Sequence, residues 1–131
     1  NLILPATTLQ FACYSSMFKG CSNLITAPAL PATALENFCY NNMFWDCTSL
    51  TAAPELPATT LKFMCYSGMF YGCTSLNYIK CLATDISASD CTSVWVNGVA
   101  ATGTFVKNPS MSEWTTGISG IPNNWTIENN I

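Results

Sequence analysis

Leu9, Cys13, Tyr14, Met17 and Phe18 stand at positions i, i+4, i+5, i+8 and i+9, a spacing that gathers apolar side chains on one side of an α-helix. The same spacing returns at Leu35, Cys39, Tyr40, Met43 and Phe44, and again at Leu61, Cys65, Tyr66, Met69 and Phe70. It predicts short helices over about residues 8–19, 34–45 and 60–71. Thr7 with Gln10, and Thr33 with Glu36, fit a capping box for the first turn, which Lys62 breaks in the third segment. Gly20 and Gly72 stand where a helix ends in a left-handed residue, and Asp46 takes that place in the second segment. Short extended pieces follow, "LITA", "LTAA" and "LNYI", closed in two cases by Pro28 and Pro54.

These segments are one unit written three times, at an interval of 26 residues: Leu4–Ala29, Leu30–Glu55 and Leu56–Cys81. Eleven of the 26 columns are identical in all three. One unit buries too little apolar surface to offset the entropy of ordering itself, so stability requires stacking unit on unit. The expected fold class is therefore α/β: a solenoid with short parallel strands on one face and short helices on the other. From Leu82 the wording changes, although Cys91 continues the Cys13, Cys39, Cys65 column. "SASDCTSVWVNGV" reads as another helix, and "GTFVK" and "IPNNWTIEN" as further strands. Residues 82–131 are expected to form two degenerate coils, a C-terminal cap closed by Trp95, Trp114 and Trp125. At the other end "NLI" is too short to close the first unit, and a preceding segment is expected.

The words "LPATTL…CYSGMFYGCTSL" resemble the BspA-like leucine-rich repeats of bacterial surface proteins, in a long 26-residue version found in the Bacteroides group and in associated phage-like sequences. The resemblance covers residues 4–81. It implies a leucine-rich solenoid, no cofactor, and a role in adhesion or recognition at the cell surface.

Composition narrows the chemistry. Only 8% of the 131 residues are charged and the net charge is −3, with four scattered lysines and no basic stripe, which argues against a nucleic-acid partner. No apolar run reaches membrane-spanning length. There is no His, no CxxC and no phosphate loop, so neither a hydrolase triad nor ordinary zinc spacing is present. Asp85 and Asp90 are the nearest approach to a carboxylate pair, and Asp90 reads better as a helix cap. "NWT" at 124–126 matches a glycosylation acceptor. The eight cysteines fit small apolar ladder residues; the alternative is disulfides, with Cys81–Cys91 the best single pair because both lie where the pattern changes.

What remains is a surface. Columns that vary between units while facing outward are the candidates: Lys19, Trp45 and Tyr71 in one; Ile25, Thr51 and Asn77, beside Thr26, Ala52 and Tyr78, in another, with Glu55 and Lys80 flanking. Lys19, Trp45, Tyr71, Asn77 and Tyr78 are the candidate binding residues, because Trp and Tyr join apolar area to a polar handle. The expected function is a non-catalytic recognition or adhesion module of an extracellular or cell-surface bacterial protein, binding a host or bacterial protein or a glycan as part of a larger chain. The alternative is a structural or receptor-binding component of a phage particle built from the same repeat.

Overall fold

The computed structural model describes residues 3–131. Asn1 and Leu2, and with them most of the "NLI" reading, lie outside the described residues. Three parallel strands form one sheet in the order β1 (Tyr78–Cys81), β2 (Thr104–Lys107) and β3 (Thr126–Asn129). Tyr78 pairs with Thr104, 26 residues on, and Thr104 pairs with Thr126. The first unit meets the second at two isolated parallel bridges, Thr8 to Ala34 and Thr26 to Ala52, and the extended piece of the second meets Asn77 and β1 through Asn77 N–H to Thr51 O at 3.0 Å and Ala53 N–H to Tyr78 O at 2.9 Å.

The helices do not form: no described residue is helical, and the expected α/β solenoid with a helical face is overturned. "SASDCTSVWVNGV" is likewise not a helix, so Asp90, at φ 53°, caps none. The four segments instead form ribbons of overlapping turns. Cys13, Ser15, Met17, Lys19 and Cys21 each donate their N–H to the carbonyl three residues back, and the same odd-numbered pattern continues through Cys73 and Val99. Between them, the N–H groups of even-numbered residues leave the coil: Phe18 donates to Met43 O at 2.9 Å, Phe44 to Met69 O at 2.9 Å, and Phe70 to Trp95 O at 2.9 Å.

The backbone repeats every four residues. Positive φ occurs at Ala12, Ser16 and Gly20, at Phe38, Asn42 and Asp46, at Met64, Gly68 and Gly72, and at Asp90, Val94 and Gly98. A positive φ at the third residue of a hydrogen-bonded turn is the signature of type II, and a helix admits none. Non-glycine residues in this region cost roughly 1–2 kcal/mol each. The inter-coil hydrogen bonds, and the core they bring together, offset that cost.

Each four-residue step turns two side chains in and two out. Cys39-Tyr40, Met43-Phe44 and Cys47 are buried, while Asn41-Asn42 and Trp45-Asp46 face outward. The inward residues stack on their equivalents: Phe18, Phe44 and Phe70 with centroids 5.5 and 5.8 Å apart, and Tyr14, Tyr40, Tyr66, Trp95 and Trp114 at 6.0, 6.1, 5.9 and 5.7 Å. Trp95 is fully buried and Trp125 nearly so, its indole N–H donating to Ala100 O at 2.8 Å. Trp114 is half-buried against Trp95 and Phe105.

Burial in this stack depends on having a neighbour on both sides. Met43 is completely buried, whereas Met17, its equivalent in the first coil, is 46% exposed. Met43→Ala is expected to cost about 2–5 kcal/mol and Met17→Ala under about 1 kcal/mol. Urea unfolding of the two variants checks this; equal costs would show that stacking does not set core stability.

Candidate functional site

The outward position before each last left-handed residue carries Lys19, Trp45 and Tyr71. The 26-residue register lays them one over another along the ribbon face. Trp45 and Tyr71 stack with ring centroids 3.9 Å apart at 10°, and Lys19 Nζ lies 5.2 Å from the Trp45 ring centroid on the first-coil side, within cation–π range. Gly68 makes room for this stack, since a Cβ there would come within 3.0 Å of the indole. Both faces of Trp45 are therefore engaged by its own column. A free indole face for a sugar to stack on is not offered; the rim of the stack is. Among the described residues, neither the Trp45 indole N–H nor the Tyr71 hydroxyl makes a hydrogen bond.

Asn77 and Tyr78 occupy a second place, at the start of β1. Both are exposed, Tyr78 by 38%, and its register partners Thr104 and Thr126 extend a polar row across the sheet. The Asn77 main chain is engaged on both sides, donating to Thr51 O at 3.0 Å and accepting from the Thr104 N–H at 2.9 Å. Ile25 (64% exposed), Thr26, Thr51 and Ala52 continue this side toward the first coil. Lys80 meets Glu55 at 3.4 Å. The five candidate residues thus fall into two groups, one on the ribbon and one on the sheet, with no aromatic pairing or hydrogen bond joining them.

The cysteines contribute packing and an unforeseen hydrogen bond. All eight, Cys81 and Cys91 included, are free thiols in the structure, six of them buried. Cys47 Sγ donates to Phe18 O at 3.1 Å and Cys73 Sγ to Phe44 O at 2.9 Å, so this column ties each coil to the one before it. Desolvation pushes Cys39, Cys73 and Cys81 from 9.0 up to about 12, Cys47 up to about 11, and raises Cys65 and Cys91 as well. Such thiols stay protonated at neutral pH and are poor nucleophiles and ligands. No group of three or more His, Cys, Asp or Glu side chains among the described residues is placed to hold a metal ion.

Asp85 is fully exposed. Its carboxylate accepts from the Ser87 hydroxyl at 2.6 Å and the Ser87 N–H at 2.9 Å, which, with the charge of Lys62, lowers its pKa. The pair closes a local turn and faces no second carboxylate. A cleft of about 250 Å³ beside Trp114, Ile121 and Ile127 is smaller than most small-molecule sites, and Lys107 at its edge already donates to Met111 O at 2.8 Å. No helix among the described residues is long and apolar enough to cross a membrane. Comparison with protein-family models, with curated proteins and with solved structures found no match to this chain.

Proposed function

We propose that the chain is a non-catalytic recognition module of a bacterial cell-surface protein, engaging its partner through the rim of the Lys19–Trp45–Tyr71 column. The observation that carries this reading is the stack itself: two large aromatic side chains packed face to face at 3.9 Å, each half-buried, with unused polar handles. Side chains already fixed lose little entropy on binding, which is what favours aromatic anchors at interfaces. Because both faces of Trp45 are covered, a polypeptide that presents carbonyls to the indole N–H and the Tyr71 hydroxyl fits better there than a sugar stacked on the indole. Asn77 and Tyr78 would form an accessory contact on the sheet side. The test is a protein pull-down and a glycan array with the parent protein and with Trp45→Ala and Tyr71→Ala. Each variant is expected to weaken binding by about tenfold or more, with unchanged thermal unfolding of the unrelated surface control Ile118→Ala. Parental binding by both variants would remove this column as the site.

A second reading, a structural or receptor-binding part of a phage particle, draws on the eight free thiols. A chain assembled in a reducing cytosol keeps them all, whereas export exposes them to oxidation. Thiol counting on protein from its native source, with mapping of Cys81 and Cys91, separates the two.

A further inference from the structure

The main-chain ladder between the turn ribbons runs one way. Ala12, Tyr14, Ser16, Phe18 and Gly20 donate to carbonyls of the second coil; Phe38, Tyr40, Asn42, Phe44 and Asp46 donate to the third; the third donates likewise to the fourth. Each ribbon therefore shows N–H donors toward its C-terminal neighbour and carbonyl acceptors toward its N-terminal one. At the C-terminal end two donors in the middle of the row are met by the last segment, Val96 N–H by Ile118 O at 3.1 Å and Val94 N–H by Ser119 Oγ at 2.9 Å. At the other end the first-coil carbonyls of Phe11, Cys13, Ser15, Met17 and Lys19 receive no N–H from any described residue.

The side chains of that face agree. Cys13 and Cys21 are exposed where Cys39 and Cys47 are completely buried, and Phe11 is 67% exposed. Tyr14, only partly buried, stacks on Tyr40 by one ring face only.

We propose that this face is a docking surface for one further 26-residue unit of the same repeat, joined on the Leu4 side. Its alternate N–H groups would bond the five carbonyls, and its inward Tyr would lie on Tyr14. The occupant is specified by an interface the chain already makes: the second coil presents the same face to the first and is covered by it. A second copy meeting face to face would set acceptor against acceptor and leave both rows unbonded. A second copy docking by its C-terminal end would bring a broken donor row, because Val94 and Val96 in its middle are engaged. A loose unit would have to be ordered at the moment of binding, which favours covalent joining.

The test fuses a copy of residues 30–55, its cysteines changed to alanine, directly before Leu4. The comparison is with the unfused chain and with a fusion of the same composition in scrambled order. Native-state labelling of Cys13 and Cys21 by a thiol reagent is expected to slow by about a hundredfold in the first fusion and not in the scrambled one. A copy of residues 56–81, treated in the same way, provides an independent unit in case the first misfolds. Unchanged labelling in both fusions overturns the proposal. So does an unfused chain that sediments as a dimer with Cys13 and Cys21 protected, since a second copy is then the occupant.

Discussion

Above about pH 9 the folded protein is expected to lose stability at roughly 5 kcal/mol per pH unit and to unfold within about two units. Cys39, Cys73 and Cys81 are pushed from 9.0 to about 12, and Cys65 is raised too, first of all because a thiolate in the apolar core loses its hydration. These folded-state values lie above the unfolded ones, so the contribution is fully present below the ordinary thiol pKa. It is lost as pH rises toward the folded value. Through that window the unfolded chain releases protons that the folded chain must keep, and each retained proton costs about 1.4 kcal/mol per pH unit. Four such thiols exceed half of a typical domain's stability within one unit. The buried hydroxyls of Tyr40 and Tyr66, raised by the same desolvation, add to the loss above their ordinary 10.0. With no His in the chain, little change is expected between pH 5 and 8. Urea midpoints measured from pH 6 to pH 11 check this; a midpoint near pH 10.5 equal to that at pH 8 would contradict it.

Trp95→Ala is expected to cost about 3–5 kcal/mol, a third or more of the stability of a domain this size. The indole is fully buried, lies between Tyr66 at 5.9 Å and Trp114 at 5.7 Å, and meets the Phe105 ring of β2 edge-on at 6.2 Å. Its N–H donates to Gly120 O at 2.8 Å, so truncation also leaves a buried acceptor unpaired. Trp95→Phe keeps most of the ring and should lose about half as much. Calorimetry or urea unfolding decides; an alanine variant as stable as the parent would mean that the C-terminal segment does not rest on the tyrosine ladder.

The 26-residue interval is plain in the sequence, and each outgoing ribbon N–H of the first three coils meets the carbonyl 25 residues on, next to its own equivalent in the following coil. Pairs such as Cys39-Tyr40 and Met43-Phe44, four apart, fit a helical template over two turns, which is why the pattern predicts helices that do not form. A true helix would drift by about 40° per step of four, whereas these doublets keep one phase from Cys39 through Cys47. The turn ribbon left a trace in Ser16, Asn42 and Gly68, short residues that tolerate positive φ in mid-segment, in phase with Gly20, Asp46 and Gly72. Ala12, Phe38 and Met64 hide it, since nothing in their chemistry announces a left-handed backbone that only the neighbouring coil holds in place. The column of Lys19, Trp45 and Tyr71 was legible from alignment of the units. Its tight stacking was not, because that depends on the room Gly68 leaves. Thiols donating to carbonyls of the preceding coil have no sequence signature at all.

The four-residue ribbon step limits how such a molecule can change in length. Inserting one, two or three residues into a ribbon would swap inward for outward side chains downstream. An insertion of four would keep the facing but leave the added turn without rungs above and below it. Lengthening is tolerated only if every layer takes the same insertion together. Size is therefore gained most readily by copying an entire layer, and the uniform spacing of the three units is the mark such duplication leaves.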